Sequence, residues 1–278
     1  MLDLTFRMMN YRSYAMDTHF MCDNQGSSIG EQLRLVKEAG YDDSYVTGAV
    51  DDPEKLLNTL ETADRVGLGF NAAFQCFDIS QPPTEELLER TEAVVSKLPP
   101  GARFEIALTC GGFDQNPGNV DCDGKALDWL RPLIPILERY NIEASLYPHF
   151  GFYLETLSDA LRLAGKTDHP LIKVIFCGYH WYRVGKEPSL GELIDRAAGR
   201  LNAANLCGSR HLDDPAKVIN GLNPSIEPLD TGHLDNSAIL HELKRIGYKG
   251  PIGIQGYGVN CPANEALDRS FKALQQLA

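Results

Sequence analysis

Glu143-Ala-Ser-Leu-Tyr147 and Ile172-Lys-Val-Ile-Phe-Cys177 are the two short apolar stretches that decide the fold of this chain. The residues between them, 154–164, are predicted to form a helix. Two strands joined through a helix run parallel, because the short hairpin link that antiparallel neighbours need is absent. The stretch therefore predicts a β-α-β unit.

The same unit recurs along the chain, and eight strand and helix pairs can be counted. The predicted strands are 13–17, 44–47, 68–77, 103–109, 143–147, 172–177, 202–207 and 252–255. Eight crossover-linked units favour closure of the parallel sheet. We therefore predict an α/β fold, a single (β/α)8 TIM barrel, with residues 1–278 as one domain. A doubly wound open sheet is the alternative, but no glycine fingerprint for a dinucleotide follows the first strand.

Composition restricts the classes of partner. The formal net charge of −12 disfavours a nucleic-acid partner, which needs clustered Lys and Arg. Asp3 and Arg7 interrupt the N-terminus where a signal peptide would be apolar, and no run has membrane-spanning length. Seven cysteines form no CxxC pair and cannot all pair internally. We expect a cytoplasmic protein that has no nucleic-acid or membrane partner.

Several stretches give the chain a family resemblance. They are Leu146-Tyr-Pro-His149, Cys177-Gly-Tyr-His180, Pro188-Ser-Leu190 and the segment from Leu240 to Gln255. In this order and spacing they resemble the xylose-isomerase-like superfamily of TIM barrels, which includes sugar isomerases, sugar epimerases and abasic-site endonucleases. The resemblance implies a ligand site at the carboxyl ends of the strands. The loops 114–124 and 209–230 would lie on that rim.

The resemblance also implies a divalent metal, held by Glu, Asp, His and Glu at the ends of strands five to eight. The corresponding positions here hold Tyr147, Cys177, Asn205 and Gln255. These side chains offer a phenol, a soft thiol and two neutral amides in place of anionic oxygens. We therefore predict no bound metal and no cofactor, and we expect these four residues to contact the substrate instead.

Two histidines of the family pattern are retained, His149 after the fifth strand and His180 after the sixth. An imidazole can bind a hydroxyl and can move a proton beside a carbonyl. We predict both as catalytic residues. The alternative is that they are hydrogen-bonded histidines of the rim without chemistry.

Other side chains near these strand ends have two interpretations each. Trp181 could stack on the apolar face of a sugar, or it could belong to the core. His211, after the seventh strand, could bind substrate or be a solvated loop residue. Cys177 could be a nucleophile with His149 or His180 as base, and the cysteines 76, 110, 177 and 207 could hold zinc, although no ligand pair is local in sequence.

Together these features predict a barrel that binds a small sugar or keto-sugar and reacts, if at all, by metal-independent proton transfer. A non-catalytic sugar-binding or regulatory protein is the second hypothesis, favoured by the loss of all four ligand types. An abasic-site endonuclease is the third, and the missing ligands and the charge argue against it. The resemblance makes a homo-oligomer possible.

Overall fold

The structure is a computed structural model that describes residues 11–22, 26–185, 187–210 and 226–277. Eight parallel strands close into a barrel. The barrel strands are β1 (Ser13–Ala15), β2 (Asp43–Thr47), β3 (Gly69–Asp78), β4 (Arg103–Thr109), β5 (Glu143–Leu146), β6 (Ile172–Cys177), β7 (Leu201–Leu206) and β10 (Ile252–Ile254). Their order around the barrel is β1-β10-β7-β6-β5-β4-β3-β2. The predicted (β/α)8 TIM barrel is confirmed.

Helices connect consecutive strands around the outside. They are α1 (Ile29–Ala39), α2 (Pro53–Val66), α3 (Glu85–Val95), α4 (Asp123–Leu130), α5 (Ile134–Tyr140), α6 (Leu157–Thr167), α7 (Gly178–Val184), α8 (Leu190–Ala197), α9 (Asn236–Arg245) and α10 (Ala263–Leu277). Two short antiparallel strands, β8 (Gly208–Ser209) and β9 (Ile226–Glu227), pair outside the barrel. None of the described helices has the length and apolar character that crossing a bilayer requires.

Local sequence signals set several helix boundaries. Ser28 and Glu31 form a capping box at the start of α1, and Thr156 and Asp159 form another at α6. Each box satisfies backbone N–H groups that have no partner within the helix. Gly40 ends α1 at a φ of 105°, a left-handed conformation that glycine adopts without steric cost.

The apolar core has two parts. The larger one lies between the sheet and the helices and includes Trp129, Phe104 and Phe176. The smaller one contains inward-facing strand residues, among them Tyr14 and Tyr45, whose rings stack with centroids 5.5 Å apart. The barrel interior is thus filled by side chains, as in other eight-stranded barrels.

A buried polar network also lies inside the barrel. Arg103 pairs with Glu105 at 3.0 Å, and Tyr45 donates a hydrogen bond to the same carboxylate at 2.6 Å. Arg103 also donates to Asn71, whose amide reaches Asp43. Because each charge has a partner, burial does not leave an isolated ion.

Candidate functional site

A cavity of about 370 Å³ opens at the carboxyl ends of the barrel strands. Its volume is within the range of roughly 300–1,000 Å³ that small-molecule sites occupy. None of the lining residues that the structure describes is an Asp, Glu, Lys or Arg. The lining consists of Met16, Thr18, Met21, Thr47, Phe74, Cys76, Phe113, Tyr147, His149, Phe150, Phe152, Tyr179, His180, Ile226, Gln255 and Tyr257.

His149 lies in the loop that follows β5, and its environment sets its tautomer. Its Nδ1 is 2.8 Å from the carbonyl oxygen of Phe150. A carbonyl only accepts hydrogen bonds, so Nδ1 carries the proton and Nε2 has a free lone pair. Desolvation by burial lowers the pKa of His149 to about 4. The imidazole is therefore neutral at pH 7.

His180 has the opposite tautomer. It lies in α7, which begins directly after β6, and its Nδ1 accepts the backbone N–H of Phe150 at 3.4 Å. The proton is therefore on Nε2, and this buried nitrogen has no hydrogen-bond partner among the described residues. Burial lowers the pKa of His180 well below its usual value, and the nearby His149 and Arg183 lower it further.

The two imidazoles are adjacent, with ring centroids 4.0 Å apart. One presents an acceptor nitrogen and the other presents a donor N–H. This complementary pair of neutral rings can accept and donate a hydrogen bond on one ligand at the same time.

Three further polar side chains form a chain of contacts beside the histidines. The hydroxyl of Tyr147 is 3.6 Å from the Cys177 sulfur, and this thiol donates to the Gln255 carbonyl oxygen at 3.7 Å. Burial raises the pKa of Cys177 to about 11 and that of Tyr147 well above its usual range. Both side chains are therefore uncharged at neutral pH. The same shift argues against a thiolate nucleophile at Cys177.

Asn205 lies deeper than the sequence suggested. Its side-chain oxygen accepts a hydrogen bond from the Tyr14 hydroxyl at 2.5 Å inside the barrel, and it does not line the cavity. Gly253 provides the space for this contact, because a Cβ there would overlap both side chains. The Asn205 amide nitrogen has no partner among the described residues.

Two other predicted contacts lie elsewhere. Trp181 packs against Phe176 with ring centroids 5.9 Å apart, in the core outside the barrel, and is not part of the cavity lining. His211 lies outside the described residues. Its neighbour Arg210 pairs with Glu227 at 2.8 Å.

The comparison with known proteins agrees with this architecture. The family profile of xylose isomerase-like TIM barrels matches residues 33–277. The chain belongs to this family. No curated protein sequence matches it significantly.

Solved structures with this fold include sugar enzymes. A 3-keto-D-glucoside 4-epimerase from E. coli has a TM-score of 0.71 at 20% identity, with 96% of this chain and 99% of that chain covered. A D-allulose 3-epimerase from Methylomonas sp. in complex with D-allulose has a TM-score of 0.73 at 15% identity, with 96% and 97% covered. A barrel from Mycobacterium smegmatis in complex with magnesium has a TM-score of 0.69 at 17% identity, with 96% and 97% covered. At these identities the likeness establishes the shared fold.

The donor groups of this xylose isomerase-like barrel do not suit a divalent cation. Mg²⁺ and Mn²⁺ prefer anionic oxygen ligands, whereas Tyr147, Cys177 and Gln255 offer a protonated phenol, a protonated thiol and a neutral amide. Among the described residues, no group of three or more His, Cys, Asp or Glu side chains is arranged so that it could hold a metal ion. The same finding gives no support to a zinc site among the cysteines.

The sequence alone did not reveal several residues of the cavity wall. Phe74 projects from β3, Phe113 from the loop after β4, and Tyr257 from the segment after β10. A usable signal existed for Phe113, because it directly precedes the loop predicted to lie on the rim. Phe74 gave none, since an aromatic residue within a strand is ordinary core.

Proposed function

We propose that the barrel mouth binds a small uncharged sugar or keto-sugar, and that any reaction there is a metal-independent proton transfer. The observation that carries the proposal is the pair of neighbouring neutral imidazoles with opposite tautomers, at a cavity whose described lining residues carry no charge. The family membership supports the sugar class, because structures that share the fold include two sugar epimerases.

The proposed chemistry uses residues of this chain alone. The ligand carbonyl oxygen accepts hydrogen bonds from the His180 Nε2–H and from the Gln255 amide. The His149 Nε2 takes the proton from the carbon next to the carbonyl. The C–H electron pair forms the C=C bond of an enediolate, and the carbonyl π pair moves onto the oxygen that His180 and Gln255 hold. Return of the proton to the opposite face of the same carbon gives the epimer. Its delivery to the former carbonyl carbon, with the neighbouring hydroxyl proton passing to the enediolate oxygen, gives the isomer.

A second function, sugar binding without turnover, is favoured by the low pKa of His149. A base whose conjugate acid has a pKa of about 4 is weak, so His149 would remove a proton from carbon slowly. Solvent exchange at the carbon next to the carbonyl separates the two functions, because only a catalytic site exchanges that proton.

The test measures both properties in one set of proteins. A sugar ligand is first selected by thermal shift, and its affinity is measured by calorimetry. We expect His180→Ala to weaken its binding about 10-fold, because a buried donor is lost. The rate of deuterium incorporation at the carbon next to the carbonyl, followed by NMR in D₂O, should also fall in this variant. His241→Ala is the matched control, because His241 is exposed on α9. Unchanged affinity in His180→Ala would contradict the proposal.

A further inference from the structure

The outer wall of the cavity is a cluster of aromatic rings, Phe113, Phe150 and Phe152, which we call the phenylalanine cluster. Phe113 meets Phe150 at 5.6 Å and Phe152 at 6.1 Å between centroids, with interplanar angles of 89° and 81°. Phe113 is 53% exposed, whereas most large apolar residues of the described chain are buried or half-buried. An exposed aromatic ring continuous with a cavity indicates a surface that a ligand covers.

The position of Phe113 is fixed by its surroundings. Its ring lies against Gly151, where a Cβ would approach a ring carbon to 2.7 Å. The next residue, Asp114, donates its backbone N–H to the Gly151 carbonyl at 2.6 Å. Gly118 donates to the Tyr153 carbonyl at 3.1 Å, so the loop is tied to the β5–α6 connection at two points. The ring is therefore held in place at the rim.

The contacts of the cavity residues lead from buried polar groups to an exposed ring. They run from Gln255 through Cys177 and Tyr147 to His180, whose ring is 5.8 Å from that of Tyr147. They continue through His149, which stacks on Phe152 at 4.0 Å, to the phenylalanine cluster. Phe74 also packs on Tyr147, so the inner part of the cavity has an aromatic wall as well. The polar groups up to His180 are nearly fully buried, whereas Phe113 is 53% exposed, so the phenylalanine cluster forms the outer end of the cavity.

A free sugar suits only one end of such a cavity. Its hydroxyl groups would lose water against the phenylalanine rings without gaining partners, which is unfavourable. A ligand with one polar ring and one aromatic ring matches both ends. The edge-to-face geometry of the cluster also suits a further aromatic ring, because perpendicular and offset arrangements are the favoured ones.

We propose that the ligand is an uncharged aryl glycoside or its keto form, with the sugar at His180 and Gln255 and the aryl group on the phenylalanine cluster. This inference rests on the proposed function and specifies its substrate class. One cation lies close to the cluster, because the Arg183 guanidinium is over the Phe150 ring, 4.7 Å from its centroid. It does not line the cavity, and no described lining residue is charged, which argues for an uncharged aryl group.

The experiment compares matched glycosides by calorimetry on the full chain. The probes are methyl and phenyl β-glycosides of glucose, galactose and xylose, with phenol alone as a further probe. We expect at least one phenyl glycoside to bind 10-fold or more tightly than its methyl counterpart. In Phe113→Ala this ratio should fall below about 3, and Phe113→Leu should give an intermediate ratio, because it keeps apolar area without a ring.

Val120→Ala is the matched control, because Val120 is exposed near the end of the same loop and does not line the cavity. It should keep the wild-type ratio. Equal binding of methyl and phenyl glycosides, or a ratio unchanged by Phe113→Ala, would overturn the aryl assignment and leave the sugar site standing. If phenol bound but no glycoside did, or if none of these probes bound, the sugar site would be overturned as well.

Discussion

Substitution of Cys177 and Gln255, which contact each other beside the cavity, tests directly whether the site can bind a divalent cation. We expect the wild-type Tm to be unchanged by Mn²⁺, because the thiol and the amide provide no anionic oxygen. The double variant Cys177→Asp, Gln255→Glu should have a lower Tm without metal, because two buried carboxylates repel each other. Mn²⁺ should then raise its Tm by several degrees, since a ligand that binds the native state stabilises it.

Differential scanning fluorimetry with and without Mn²⁺ measures both effects. Gln276→Glu adds a carboxylate on the exposed face of α10 and should respond to Mn²⁺ no more than the wild type does. A clear Mn²⁺ shift of the wild-type protein, with one ion per chain by elemental analysis, would refute the idea that the site lacks a cation.

Individual residues differ in how well the sequence predicted their positions. His149 and His180 were predicted to face the barrel mouth, because both follow strand ends closely, and the structure brings their rings together. Asn205 is deeper because the stagger between neighbouring strands sets its height, and no local pattern records that stagger. Trp181 packs outside the barrel because α7 begins at Gly178, directly after β6. The aromatic residues of this stretch did not indicate that a helix begins there.

At the scale of elements, strand β10 can pack closely on its neighbours because residue 253 is a glycine without a side chain. A Cβ at Gly253 would overlap Asn205 and Tyr14, two fully buried side chains. We expect Gly253→Ala to lower the free energy of unfolding by about 3 kcal/mol, because overpacked cores must shift rigid neighbours. Urea denaturation followed by circular dichroism measures the change.

Gly124→Ala is the control for that substitution. Gly124 lies within α4, and a Cβ there meets nothing within 4 Å. Alanine should therefore raise the free energy of unfolding by roughly 0.5–1 kcal/mol through its higher helix propensity. If Gly253→Ala were as stable as the wild type, β10 would not pack as described.

Regular elements were the most predictable part of the fold. Strands β4 and β6 were predicted at Arg103–Thr109 and Ile172–Cys177, the bounds that the structure has. Both stretches are rich in β-branched and aromatic residues, which favour strands. The pair β8 and β9 and helix α7 were not predicted, because their few residues show no periodicity and depend on tertiary contacts.

At the scale of the whole molecule, none of the described residues that line the cavity is charged, and a buried ion pair lies elsewhere in the barrel. The buried ion pair of Arg103 and Glu105 lies within the barrel, where further partners surround both charges. The cavity is instead lined by His149 and His180, and burial lowers the pKa of both. The desolvation that lowers the pKa of His149 and His180 therefore makes both rings resist protonation.

This desolvation makes the folded protein sensitive to acid. His19, His149 and His180 are neutral in the folded state, and the pKa of His19 is lowered to about 4 by burial. The unfolded chain protonates these groups near pH 6.5, so it binds more protons than the native state between about pH 6.5 and 4. Stability present above pH 6.5 is lost as the pH falls through this window, by up to about 1.4 kcal/mol per pH unit for each histidine.

Urea denaturation at pH 7, 6, 5 and 4 tests the linkage when wild type is compared with His19→Gln. Glutamine keeps a donor for the Met16 carbonyl, which His19 contacts at 2.9 Å, but it does not titrate. The variant should therefore lose less stability with acid than the wild type does. Contributions from other groups cancel in the difference between the two curves. His241→Gln, at an exposed position, should follow the wild-type curve, and a His19→Gln curve parallel to it would show that His19 is not buried in its neutral form.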